Sequence, residues 1–126
     1  MESEERERAN AVGHAACTTA KEIKASAISA VTTSGYTAEM MAKYKPVEPI
    51  IAATPRLKTY HQQALTRGCI PLLTEFSNDW DDLMDKVTAE AESAGLIKKG
   101  DTVVFSAGMP LQVSGTTNLI VVKVVQ

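Results

Sequence analysis

Apolar positions along this chain recur with two different periods, and their alternation predicts strands and helices in turn. From Ser3 to Lys24 the sequence is Ala-rich with charges at its front, and Val12, Ala15, Ala16, Thr19 and Ile23 repeat at helical spacing. That segment reads as a helix. "SAISAVT", Ser26 to Thr32, is a run of small and β-branched residues that reads as a strand. "TAEMMAKYK" after it is an amphipathic helix with Met40, Met41 and Tyr44 on its apolar side. Pro46 and Pro49 bracket a connection to a second buried strand, "PIIAAT", which ends at Thr54-Pro55. Proline there suits the first turn of the next helix, "RLKTYHQQALTRG", which Gly68 closes. "CIPLLTE" is a third strand, and "SNDWDDLMDKVTAEAESAG" is a helix capped by Ser77 or Asn78 and stopped at Gly95. "DTVVFSAG" is the fourth strand.

The last apolar segment, "TTNLIVVKVVQ", follows a connection too short for a crossover helix, so it is expected to pair antiparallel beside the fourth strand and form a sheet edge. Strands with nearly continuous apolar character that alternate with helices predict a parallel sheet covered on both faces. The expected fold is α/β: a three-layer α/β/α sandwich around a five-stranded, mostly parallel mixed sheet whose last strand is antiparallel.

Composition narrows the partners. With 126 residues, 44% of them apolar, residues 1–126 are expected to form one domain around one core. A net charge of −2 and the lack of a Lys/Arg stripe interleaved with aromatics argue against nucleic acid. The start, "MESEERERAN", is charged rather than apolar, and no apolar run approaches a membrane span, so no membrane partner and a cytoplasmic location are expected. Cys17 and Cys69 lie far apart without CxxC spacing and are expected to pack as small core residues. His14 and His61 fall within helices with no neighbouring cluster to make a metal site or a triad, and they read as ordinary helix residues.

One stretch carries chemistry beyond packing. "VTTSGYTAEMMAKYKP" places Thr32, Thr33, Ser34, Gly35, Tyr36 and Thr37 between a strand and a helix start. In open α/β sheets, ligands bind beyond the carboxyl ends of the strands. A helix N-terminus there offers N–H groups and a partial positive charge to an anion. Hydroxyls add donors without bulk, and glycine lets the backbone close around a ligand. The stretch therefore reads as a phosphate cradle. Its alternative is a helix cap by Ser34 or Thr37 with the other hydroxyls solvated. It is not a Walker motif, since GxxxxGK[ST] is absent.

The motif "CTTAKEIKASAISAVTTSGYTAEMMAKYKPVEPIIAATP", followed in order by "RGCIPLL", "AGLIKKGDTVVFSAGMP" and "SGTTNLIVVKVV", resembles the C-terminal domain of pyruvate kinase from about Asn10 to Val125. The resemblance implies the mixed five-stranded sheet described above. It also implies an allosteric pocket in which Thr32, Thr33, Ser34, Gly35 and Thr37 hold an effector phosphate, with Tyr36 supplying its backbone N–H. Relatives activated by fructose 1,6-bisphosphate use a Trp and a downstream Arg for the second phosphate. Here Trp80 is present, but the nearest basic residue is Lys86, one position early among Asp81, Asp82 and Asp85, and it lacks the fork geometry of Arg. A singly phosphorylated effector, a sugar phosphate or nucleotide monophosphate, is thereby an equal candidate. The segment Gly108 to Asn118 corresponds to the family's closing loop, with Ser114, Gly115 and Thr116 against the ligand; Gly115 could equally serve only the turn into the last strand.

The phosphoryl transfer from phosphoenolpyruvate to ADP belongs, by the same resemblance, to a barrel domain that uses Mg and K ions. No catalytic residues, metal ligands or cofactors are expected within this chain. The expected role is an effector-binding and subunit-contact domain of a glycolytic kinase, partnered by its barrel and by further copies in an oligomer. A charged helix directly after Met1 points to either an excised domain or a free-standing phosphometabolite-binding protein. A small enzyme in its own right would need a nucleophile or metal cluster that the sequence does not display.

Overall fold

The computed structural model describes residues 2–77, 79–108 and 117–126. The chain runs α1 (Glu2–Ile23), β1 (Ala27–Val31), α2 (Tyr36–Lys43), β2 (Ile50–Thr54), α3 (Leu57–Gln63), β3 (Cys69–Leu73), α4 (Trp80–Ser93), β4 (Thr102–Gly108) and β5 (Thr117–Val124). The strands form one sheet in the order β3-β2-β1-β4-β5. Pairing is parallel for β1 with β2, β1 with β4 and β2 with β3, and antiparallel for β4 with β5. The expected α/β/α sandwich with its antiparallel last strand is the architecture observed.

Two apolar cores, one on each face of the sheet, explain the layers. Alternate residues of a strand point to opposite faces. Ile28, Ala30, Ile50, Ala52 and Val104 pack against Ala16, Cys17 and Ala20 of α1 and against Ala38 and Met41 of α2. Ala27, Val31, Ile51, Ala53, Val103 and Phe105 face the other way, onto Leu83, Met84, Val87 and Ala91 of α4. Right-handed crossovers give the same partition. The connections through α2 and α3 step one way along the sheet, and the connection through α4 returns across β2 and β1 on the opposite face.

Several boundaries and one helix face differ from the sequence reading. Among the described side chains of α1 the buried positions are Ala9, Gly13, Ala16, Cys17 and Ala20, whereas Ala15 is exposed and Ile23 is 43% exposed. Small residues face inward because α2 comes close. A Cβ on Gly13 would collide with Cε of Met40. Helix α3 ends at Gln63 rather than Gly68, and Pro55 precedes its N-cap, Arg56. The N-cap of α4 is Asp79, whose carboxylate accepts from the Asp81 N–H at 3.0 Å. Ser77 instead makes a local turn to Asp79, and Asn78 lies outside the described residues. Pro71 sits in β3, where an edge strand tolerates a missing N–H.

Candidate functional site

The hydroxyl stretch lies where β1 ends, beyond the carboxyl end of a central parallel strand. Thr32 continues the strand pairing for one residue, donating its N–H to the Ala53 carbonyl at 2.9 Å. The backbone then turns. The Thr32 hydroxyl accepts from the Gly35 N–H at 3.0 Å, and Ser34 Oγ accepts from the Tyr36 N–H at 3.3 Å. Gly35 is the N-cap of α2 and makes no side-chain cap. Capping by Ser34 or Thr37 as N-cap is therefore corrected to a glycine cap supported by neighbouring hydroxyls. A hydroxyl that accepts from an N–H still has its own proton to donate, so this arrangement is compatible with an anion outside the turn.

Burial around the stretch is uneven. Thr32, Thr33 and Thr37 are buried, and Ser34 and Tyr36 are half-buried. The Tyr36 hydroxyl reaches Asn10 of α1, donating to its Oδ1 at 3.2 Å.

Beneath the turn stands α3. Thr59 donates its hydroxyl to the Thr33 carbonyl at 2.7 Å. Gln63, fully buried, donates through Nε2 to Oε1 of Glu39 at 3.3 Å, and its own Oε1 has no partner among the described residues. Gly35 holds φ +88°, and a Cβ there would collide with Gln63 Nε2. The glycine thus answers two demands at once, a left-handed backbone and a close approach. Sequence reasoning passed over Thr59 and Gln63. Their only signal is a polar i, i+4 spacing in a helix whose apolar Leu57 is exposed.

Beside the turn, Thr33, Pro55, Arg56, Glu75 and Phe76 line a cleft of about 360 Å³. These residues follow β1, β2 and β3 directly, so three strand ends contribute to it. Phe76 is half-buried and packs on the core that α4 covers. Arg56 and Glu75 are exposed, and neither enters an ion pair among the described residues.

The remaining predicted residues are scattered. Trp80 opens α4 half-buried against the same core as Phe76. Lys86 is engaged on its own helix, 3.5 Å from Asp82. Ser114, Gly115 and Thr116 lie outside the described residues. His14 stacks on Tyr44 with ring centroids 4.5 Å apart, and His61 meets Tyr60 edge-on at 5.4 Å.

Cys17 is buried in the core between sheet and α1, and Cys69 is partly buried against it. Their thiols are pushed up to about 11, by burial first and second by the carboxylates of Glu48 and Glu39 respectively. Among the described residues no group of three His, Cys, Asp or Glu side chains could hold a metal, and no helix is long and apolar enough to cross a membrane.

Fold and turn together define an α/β/α domain with a hydroxyl-rich turn at a helix start. The family model for the pyruvate kinase alpha/beta domain matches residues 10–123, and the chain belongs to that family. Pyruvate kinase of Clostridium acetobutylicum is 37% identical over 98% of this chain and 26% of its own length. Pyruvate kinase of Lactobacillus delbrueckii subsp. bulgaricus is 36% identical over 91% of this chain and 20% of its own length. That of Thermotoga maritima is 37% identical over 90% and 24%. The chain thus spans a fifth to about a quarter of the curated relatives it matches.

Proposed function

We propose that this chain is the C-terminal effector-binding and subunit-contact domain of a pyruvate kinase, catalytically inert by itself and acting in the cytoplasm. The parent enzyme transfers a phosphoryl group from phosphoenolpyruvate to ADP in glycolysis, in a barrel domain that partners this one. Residues Thr32 to Thr37 hold the phosphate of a metabolite, with the hydroxyls of Thr32 and Ser34 giving their protons to it and the start of α2 supplying its dipole. The observation that carries this reading is the turn itself: both hydroxyls brace the backbone as acceptors, and Gly35 takes φ +88° at the end of a central parallel strand.

Effector binding regulates the parent by favouring one of its states through differential affinity. Subunit contact is supported by Val122 and Val124, each 49% exposed on the edge strand β5. Calorimetric titration with glucose 6-phosphate, ribose 5-phosphate and fructose 1,6-bisphosphate tests the phosphate site, with Ser34→Asp and Thr37→Ala as controls. Saturable binding that either substitution weakens sharply is expected. Binding indifferent to both would remove the turn from the account.

A further inference from the structure

The orientation of one peptide group in the turn is set from outside it. The Thr59 hydroxyl of α3 donates to the Thr33 carbonyl at 2.7 Å, and both residues are buried. A trans peptide is planar, with its C=O and N–H pointing opposite ways. Drawing the Thr33 carbonyl toward α3 therefore turns the N–H of the next residue, Ser34, away from α3. That N–H meets no acceptor among the described residues, whereas the N–H groups of Gly35 and Tyr36 are taken up by the hydroxyls of Thr32 and Ser34.

Without the Thr59 bond the same peptide is free to turn over. A carbonyl oxygen would then stand where the Ser34 N–H had been, and an anion at the turn would lose a donor and meet a repulsive dipole instead. Gln63 closes the other side. Fully buried and donating to Glu39 Oε1 at 3.3 Å, it stands against Gly35, so the turn has no room to relax toward α3. A bond that served only to tie α3 to the turn would add stability and leave ligand affinity alone. A bond that aims an N–H contributes to both.

We propose that Thr59 is a positioning residue for the phosphate site: its hydroxyl holds the Thr33–Ser34 peptide with the Ser34 N–H turned away from α3, where that N–H donates to a bound phosphate. This rests on the reading of residues 32–37 as that site. Thr59 acts through the peptide and not by touching the ligand. A displacement of α3 that breaks the bond lowers phosphate affinity, and by linkage a bound phosphate holds α3 in place.

The test titrates the 126-residue chain with glucose 6-phosphate, ribose 5-phosphate and fructose 1,6-bisphosphate, by calorimetry for affinity and by amide NMR for the Ser34 proton. In the unaltered chain that proton is expected to move downfield on saturation with whichever compound binds, the mark of a new hydrogen bond to an anion. Thr59→Val should abolish the shift and weaken the same compound about tenfold or more, as a hydrogen bond to a charged group is lost. Thr59→Ser keeps the hydroxyl and should restore both. The Ser34 shift of the unaltered chain and the behaviour of Thr59→Ser keep the test independent of how well Thr59→Val folds. Unchanged affinity in folded Thr59→Val, a Ser34 proton that stays put on saturation, or Thr59→Ser binding no better than Thr59→Val would overturn the positioning role and leave the phosphate site standing. Failure of all three compounds to bind would overturn both.

Discussion

Gln63 of α3 occupies the space that a side chain on Gly35 would need, its Nε2 lying where a Cβ would have to go. The polar turn at the start of α2 is therefore shaped by a helix that follows it in the chain by a whole strand. Gln63 is fully buried and reaches Glu39, and one turn earlier Thr59 holds the Thr33 carbonyl. The conformation of the turn and the position of α3 are thus coupled through two side chains.

Replacing Gly35 by alanine combines backbone strain with a clash, and a loss of about 2 kcal/mol or more is expected. Gly68 has a similar φ of +85° but open space where a methyl would stand, so Gly68→Ala should cost only the strain, about 1 kcal/mol. Urea denaturation of the two variants separates the terms. A Gly35→Ala/Gln63→Ala pair should show positive coupling, since truncating Gln63 removes the clash.

Thr59→Val keeps shape and removes the 2.7 Å hydrogen bond to the Thr33 carbonyl. The buried carbonyl is left without that donor, and stability should fall by about 1–2 kcal/mol. Faster amide exchange at Gly35 and Tyr36 than at strand β1 would locate the effect in the turn. An unchanged exchange pattern would show that α3 does not hold it.

Cys17 and Cys69 should react slowly with a thiol reagent at pH 8. With both thiols near 11 instead of 9.0, the thiolate fraction in the folded protein is about a hundredfold below that of the unfolded chain. The folded state holds these protons more tightly, so their contribution to stability is complete below pH 9.0 and declines as pH rises toward about 11. Thiol labelling with and without urea, and denaturation midpoints across that interval, check both statements.

Lys86→Ala should lower stability by no more than about 0.5 kcal/mol, because its partner Asp82 lies one helical turn away and both side chains are close to half exposed. High salt should erase even that difference. A larger, salt-resistant loss would mean that Lys86 has a role beyond this pair.

The alternation of strand and helix was legible because buried parallel strands such as "PIIAAT" stand out as short apolar runs between amphipathic segments. The hydroxyl stretch was legible for a similar reason, as its density of Thr and Ser is unusual between two apolar elements. The α1 face was legible only in part: Ala16 is buried as expected, but Val12 and Thr19 are half-buried, Ala15 and Ile23 are exposed, and Ala9, Gly13 and Ala20 are buried instead. Close helix approach selects for small side chains, and hydropathy patterns weigh them lightly. Element ends shifted where tertiary pairing stopped earlier than propensity did, as in α3, which ends at Gln63.

By itself, then, the sequence determined the order of elements, the two-faced sheet, the antiparallel last strand and the family, all of which follow from local periodicity and from motifs contiguous in the chain. Tertiary structure alone decided that Thr59 and Gln63 support the turn, that Gly35 rather than Ser34 is the N-cap of α2, and that Thr33, Arg56 and Glu75 share a cleft. The physical reason is that parallel strands bring their carboxyl ends together from separate stretches of chain. Residues tens of positions apart become neighbours there, and no local pattern records that.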